Sequence, residues 1–553
     1  MRKLYLSILL IMITFAVLTA CSSEEAGGRE GQPQEKASPK QVDERVPIEL
    51  TAYAEEIGAT ISQPESQVLS VSQSFALSGD IRDAEQLRGS YIWVFMDGPD
   101  GSSFDYYLPI EDGHFAGEIK LFVGKGTYDV TVRAPDKETE DRFYDIATLE
   151  VTNESSEITR DIAMRPSGLS AGLKLSEPVS GYVEADGSLT LEGTVDEKYN
   201  SHNIMIKEQK DGETSDMLLP IEDGKVAGDI PLYYGEGPHE ITIMVPDLSR
   251  DNYYLESAML IAHNKSATVM EPIEFYKHYY EQKFQLDEPK GSGLKAGETF
   301  RVAGNFDPNL EGNREVEQLI VTTKKDDEEA SYLIPVNSGR FDGEFWLRFG
   351  PGEYEVTLNV PTNPGAEQSY FEFAGVATFN VVSDAEDRRY LMPSRGIQSD
   401  APDIGKLAKD LTRGKKDERE KAKAIYEYVA KTVKYDVQKL ENDAFKLDDS
   451  ALKTLKTEKG VCQDYAFLAV ALLRSIGIES RYVGGTAQSG ALSFGERHAW
   501  VEAKVNGEWL VMDPTWGAGY IQDGKFVAHY DDTYFDPDPQ QFNKTHTREE
   551  VIY

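Results

Sequence analysis

Apolar residues recur at every second position through much of the first two thirds of the chain, as in Tyr128-Val130-Val132 and Tyr354-Val356-Leu358. Alternation of this kind turns one face of an extended segment to a core and the other to water, and so predicts β-strands. Gly and Asp-Gly pairs sit between the runs, where tight turns need them. The pattern is repeated. Leu108-Pro109-Ile110-Glu111-Asp112-Gly113 precedes Gly126-Thr127-Tyr128, Leu219-Pro220-Ile221-Glu222-Asp223-Gly224 precedes Gly237-Pro238-His239, and Ile334-Pro335-Val336-Asn337-Ser338-Gly339 precedes Gly352-Glu353-Tyr354. An earlier strand in each copy ends at Gly79, Gly193 or Gly304.

Three strand-and-turn units of about 100 residues each predict tandem β-sandwiches, immunoglobulin-like but without the core disulfide, over 61–160, 161–275 and 276–385. A spacer role and a role in binding a wall polymer or protein partner both fit such units.

Past residue 385 the period lengthens. Ile404, Leu407, Ala408 and Leu411 follow helical spacing, as do Ala422, Ile425, Val429 and Val433, with Gly414 between the two sets. A third helix is predicted to begin near Cys462 and to carry Ala466, Ala469, Val470, Leu473 and Ile476, with Gly477 as its stop. Strands follow. Asn506-Gly507 predicts a two-residue hairpin turn between 498–505 and 508–515. The expected fold class is therefore multidomain: three all-β units, then an α+β domain over 386–553.

Composition narrows the function classes. Acidic residues outnumber basic ones 96 to 57, for a net charge of −39. Nucleic acid binding is built on Lys and Arg neutralising phosphates, so no nucleic acid partner is expected. An anionic membrane surface would repel the folded part as well. Residues 22–60 are rich in Glu, Gly, Ser, Gln and Pro with few large apolar side chains, which predicts a flexible tether over 21–60.

Arg2 and Lys3 precede an apolar stretch from Leu4 to Leu18, and small residues lead to Cys21. The stretch suits a signal peptide over 1–20 better than a membrane span. Leu18-Thr19-Ala20-Cys21 resembles a bacterial lipoprotein processing site. That resemblance implies cleavage before Cys21, lipidation of its sulfur, and a lipid anchor at the extracytoplasmic face of a bacterial cell membrane. An ordinary secretory peptide with an incidental cysteine is the alternative. Cys462 is the second of only two cysteines, so with Cys21 lipidated it has no disulfide partner. A lone thiol in an exported protein points to chemistry.

Three residues are candidates for that chemistry. Cys462 lies at a predicted helix N-terminus, where partial positive charge and unpaired N–H groups favour a thiolate. The same amides can stabilise an oxyanion. Pairing Val505 with Glu508 across the hairpin sets Trp500 opposite Asp513 and His498 opposite Thr515. His498 and Asp513 become diagonal neighbours on one sheet face, so Asp513 can bond one imidazole nitrogen and leave the other for Cys462. None of the other seven histidines has comparable surroundings in the sequence. One Cys and one nearby His do not make a tetrahedral metal set, so no metal is expected, and no EF-hand loop is present. Trp500 and Trp516 are candidates for cleft walls or for core.

Gly460-Val461-Cys462, His498-Ala499-Trp500-Val501 and Asp513-Pro514-Thr515-Trp516 resemble the catalytic segments of the transglutaminase-like superfamily, a branch of the papain-like fold. The resemblance covers about residues 390–553. Trp516-Gly517-Ala518-Gly519, Tyr534-Phe535 and Gln541-Phe542 are similar to its cytokinesis-protein and kyphoscoliosis-peptidase branch. The resemblance implies that Cys462 is nucleophile, His498 general acid/base and Asp513 the orienting carboxylate, with Tyr435 a candidate second oxyanion donor. It implies attack on peptide or protein amides, cell-wall peptide among them, through a thioester and without a cofactor. Hydrolysis is favoured over crosslinking. The competing reading is an adhesion or scaffold protein that binds through its β-units and whose triad is idle.

Overall fold

The three repeats fold alike. The computed structural model describes residues 45–368, 370–488 and 496–553. The expected signal peptide (1–20) and the lipidation site Cys21 lie outside the described residues. Within the first repeat, Ala59–Gln63, Ser74–Ile81 and His114–Lys120 form a three-stranded sheet. A five-stranded sheet runs in the order Val68–Val71, Phe143–Asn153, Gly126–Pro135, Tyr91–Asp97, Ser103–Pro109. The second repeat has the same two groups of strands, and in the third the long strand Glu328–Asn337 links them. Tyr128, Val130 and Val132 are buried in the first repeat, and Tyr354, Val356 and Leu358 in the third, because alternate side chains of these strands meet in the space between the sheets.

A turn is tied down in each copy by one side chain. The Tyr128 hydroxyl donates to the Gly124 carbonyl and that of Tyr354 to Gly350, both at 2.8 Å. His239 takes this position in the second repeat, its Nε2 2.8 Å from the Gly235 carbonyl oxygen. The imidazole brings a second polar atom into the core, and a buried partner meets it: His239 Nδ1 lies 2.7 Å from Glu208 Oε1.

The first unit starts earlier than the sequence suggests. A short helix, Ala52–Ile57, capped by the Thr51 side chain, buries Ala54 and Ile57, and Leu50 bridges Ala147. Residues 50–60 thus belong to the first unit rather than to the tether expected over 21–60. Leu50, Tyr53 and Ile57 supply enough apolar surface to dock, which the polar composition around them disguised.

After residue 385 helices precede strands. Pro402–Leu411 and Glu418–Thr432 pack their apolar faces, with Ile404, Ala408, Ala422, Ile425 and Val429 buried, against the helix Cys462–Ser475. That central helix is buried from Asp464 to Arg474. A helix enclosed on every side needs apolar residues all round, and Tyr465-Ala466-Phe467-Leu468-Ala469-Val470-Ala471-Leu472-Leu473 provides them. Two further helices, Val437–Glu441 and Ala451–Thr457, lie between.

A four-stranded antiparallel sheet backs the helix in the order Glu508–Met512, Glu496–Val505, Ser480–Ala487, His546–Ile552. Its first pair is the expected hairpin, with Val505 opposite Glu508 and Val501 opposite Met512. Asn506 and Gly507 both take positive φ, 51° and 89°, as the two-residue turn requires. The ladder stops at Met512, so the expected Trp500–Asp513 and His498–Thr515 pairs do not form. The chain turns away after Asp513 into the short helix Trp516–Ala518.

Two buried arginines join the third repeat to the helical region. Arg348 donates to the carbonyls of Arg389, Met392 and Pro393. From the central helix, Arg474 donates to Met392 and Ser480. Segment 389–393 is clamped from both sides, which ties the helix carrying Cys462 to the β-unit before it.

Candidate active site

Cys462 is the first residue of the central helix, half-buried, with extended Val461 before it. Asp464 organises this terminus. Its Oδ2 accepts from the Val461 N–H at 2.7 Å and from Lys439 Nζ at 2.8 Å, and Lys439 also reaches Asp449 at 2.8 Å. Burial pushes the Asp464 carboxyl up, and Lys439 and the Val461 amide pull against that. Gly460 is required for a spatial reason: a Cβ there would stand 2.4 Å from the Asp464 Cβ.

His498 comes from the hairpin strand and faces Gly485 on the neighbouring strand. Its Nε2 is 2.9 Å from Asp513 Oδ2, and Cys462 lies near enough to the same ring to act on its proton affinity. With Nε2 on the carboxylate, Nδ1 is the nitrogen left for sulfur. Burial by itself would lower the imidazole pKa, but the Asp513 charge and hydrogen bond, with Cys462 adding to them, outweigh it and raise it to about 10. Asp513 is fully buried. Burial opposes its charge, yet His498 and His546 hold the carboxyl well below the usual range.

Asp513 has two jobs. Oδ1 accepts from the amides of Thr515 and Trp516, at 2.9 and 3.1 Å, and forms the turn that ends the strand. Oδ2 is turned to imidazole. The structure thus brings together the three residues singled out in the sequence, although the carboxylate sits in a turn and not on a strand.

It also adds a residue that sequence reasoning missed. His546 opens the last strand, opposite Ala487, fully buried, with Nε2 3.3 Å from the same Asp513 Oδ2. The donor atoms of His498, Asp513 and His546 all lie within 4.8 Å of one another, a spacing a cation can use. Here they are spent on one another: both imidazoles bond the same carboxylate oxygen. Trp500 is buried core, its ring edge-on to Phe542, whereas Trp516 faces the cleft.

The cleft beside His498 holds about 870 Å³, with Tyr435, Trp516, Tyr520, Phe526 and Tyr534 among its walls. Thr515 Oγ1, also on its wall, is buried without a hydrogen-bond partner among the described residues. Lys434-Tyr435 pairs in parallel with Lys459-Gly460, which sets Tyr435 beside the loop that delivers Cys462. Burial raises the Tyr435 phenol well above its ordinary range, so its hydroxyl stays a proton donor at neutral pH. A sulfur at a helix N-terminus, an imidazole bonded to a buried carboxylate and a flanking cleft can carry acyl transfer.

Residues 405–514 match the family described as the transglutaminase-like superfamily, and the C-terminal part of the chain is a transglutaminase-like domain. Proteins of this superfamily are in general cysteine hydrolases and transglutaminases. Kyphoscoliosis peptidase of Mus musculus is 30% identical over 154 residues, which are 26% of this chain and 23% of that protein. The chain thus spans about a quarter of the length of this curated relative. Among solved structures, the periplasmic domain of TgpA from Pseudomonas aeruginosa is similar at 18% identity, covering 41% of this chain and 91% of that one, with a TM-score of 0.19. A tetra-tandem repeat from the extending region of a large adhesion protein is similar at 12% identity, covering 57% and 74%, with a TM-score of 0.14.

Proposed function

We propose that the chain is a lipid-anchored protein of the bacterial cell surface whose transglutaminase-like domain cleaves or transfers the acyl group of peptide and protein amides, with Cys462 as nucleophile, His498 as general acid/base and Asp513 as orienting carboxylate. The observation that carries this reading is the position of His498, bonded to the buried Asp513 and close to the thiol at the helix terminus. The Cys462 thiolate attacks the amide carbonyl carbon, and the carbonyl oxygen takes the negative charge. The Cys462 N–H and the Tyr435 hydroxyl serve as donors to that oxygen. The imidazolium of His498 gives its proton to the departing nitrogen as the C–N bond breaks, leaving a thioester. Neutral His498 then takes a proton from water. The hydroxide adds to the thioester, and the C–S bond breaks to return the thiolate facing imidazolium.

Water is the favoured acceptor; an amine in its place gives a crosslink by the same steps. The three β-units read as immunoglobulin-like sandwiches that space the domain from the membrane, and the lipid on Cys21 reads as its attachment. Cell-wall peptide and extracellular protein are the candidate substrates, because both lie within reach of such an anchor.

The test is mass spectrometry of wall peptides and casein after incubation with the protein and a small primary amine. Hydrolysed amides without amine incorporation support the reading, and incorporated amine moves it to transamidation. If neither product depends on Cys462, as judged with Cys462→Ala, the enzymatic reading is wrong and the idle scaffold takes its place.

A further inference from the structure

We propose that His546 is a positioning residue of the active site, a second imidazole that fixes the Asp513 carboxylate so that its remaining acceptor capacity points at His498. The inference rests on the enzymatic reading above and concerns the same site.

A carboxylate that must orient an imidazole has to be held itself, and a buried one must have its lone pairs met. Asp513 is fully buried and accepts from four donors in the structure. The amides of Thr515 and Trp516 take Oδ1, and His498 and His546 share Oδ2. Without His546, Oδ2 is held by His498 alone, so the group that needs orienting becomes the only restraint on that oxygen.

His546 is itself anchored. Its ring stacks on Phe542 at 3.8 Å between centroids, 8° from parallel, and Trp516 lies 4.5 Å away. On the far side, Nδ1 is 2.9 Å from Thr545 Oγ1. That hydroxyl also donates to the Phe542 carbonyl at 3.1 Å, so the proposal rests on a proton at Nε2, on the ring edge that faces the carboxylate. Among the described residues, the titratable groups in contact with His546 are Asp513 and, with its ring 5.4 Å away, His498; Phe542, Trp500 and Trp516 are uncharged. The chain builds this contact across the sheet. His546 opens the strand that pairs with Ser480–Ala487, the strand that also pairs with the one bearing His498.

The strand position and the stack would serve a purely structural ring as well, so the test has to separate shape from donation. His546→Phe keeps the stack and removes the donor; His546→Gln puts an amide N–H near the position of Nε2. The readout is the rate at which iodoacetamide alkylates Cys462 in the intact protein across pH, which needs no substrate. We expect His546→Phe to be alkylated about tenfold more slowly than the wild type near pH ~6, where an activated thiol still reacts, and within about twofold near pH ~9. His546→Gln should restore most of the loss. Superimposable profiles for wild type and His546→Phe overturn the proposal, as do equal losses in both variants, which would mean that only the ring shape matters.

A wild-type profile like that of an ordinary thiol would instead refute the enzymatic reading on which this one rests. Should His546→Phe fail to fold, histidine ¹⁵N spectra of the wild type decide: a protonated Nε2 on His546 is expected, and a bare one overturns the proposal.

Discussion

His498 Nε2 and Asp513 Oδ2 stand 2.9 Å apart, the ring on one arm of the hairpin and the acid in the turn that follows the other. Had the strand run on past Met512, Asp513 would have been confined to a cross-strand position. Capped by its own Oδ1, it swings into a turn and offers Oδ2 along the imidazole edge. The turn chemistry and the site chemistry use different oxygens of one carboxylate.

This pair makes stability depend on pH in a defined window. His498 is raised from 6.5 to about 10, so its contribution is complete below 6.5 and is lost as pH rises through about 10. Asp513 is depressed from 3.8, so its contribution is present above 3.8 and is lost as pH falls toward its depressed value. Both are fully present between 3.8 and 6.5. The melting temperature of the wild type minus that of Asp513→Asn, followed across pH, should peak in that interval and shrink toward pH 10. A difference independent of pH would show that the pair is not ionised in the folded protein.

The helix terminus depends on a buried cation. Lys439 is largely buried between Asp464 and Asp449, each almost fully buried and 2.8 Å from its Nζ. Removing it leaves Asp464 without a cation, while Asp449 keeps Lys453 Nζ at 3.0 Å; breaking a buried pair in this way costs about 3–5 kcal/mol. Lys439→Met should therefore lower unfolding free energy by about that much in chemical denaturation. It should also slow alkylation of Cys462, because Asp464 loses the partner that keeps it on the Val461 amide.

Gly460 predicts a sharper failure. Its added methyl would meet the Asp464 Cβ at 2.4 Å and Oδ2 at 2.6 Å, on a backbone that cannot retreat without moving Cys462. Gly460→Ala should cost about 1–3 kcal/mol, the usual range for overpacking, and should slow alkylation of Cys462 as well, since the displaced group is the carboxylate that holds the start of the Cys462 helix. A variant with unchanged alkylation and unchanged melting would show that the loop yields freely.

The sequence was most informative where order is local. Period-two alternation marked the strands around Tyr128 and Tyr354, and Asn506-Gly507 set the hairpin register from Val505–Glu508 to Val501–Met512. Cys462, His498 and Asp513 were legible because each sits in a distinctive short segment. Other features depend on contacts that no local pattern announces. His546 reaches Asp513 only through the pairing of the last strand with Ser480–Ala487, and nothing in His546-Thr547-Arg548 marks it. Val437–Glu441 and Ala451–Thr457 are too short to display a helical period. Lys439, one charged residue among many, becomes structural only when Asp449 and Asp464 close around it.

The oxyanion donor is the remaining chemical question, and Tyr435 gives it a single-atom test. Its backbone is paired to Gly460, two residues before Cys462, and its ring lines the cleft together with His498. Burial keeps the phenol protonated, so it can donate to a developing oxyanion without becoming charged itself. Tyr435→Phe removes that proton and leaves the ring. Loss of one oxyanion donor typically costs about 10²–10³ in turnover. Tyr435→Phe should fall in that range with KM little changed, because the bond is made in the transition state and not in the bound amide. Alkylation of Cys462, which forms no oxyanion, should be unaffected. Equal losses in turnover and in alkylation would assign Tyr435 to holding the Cys462 loop instead, through its pairing with Gly460.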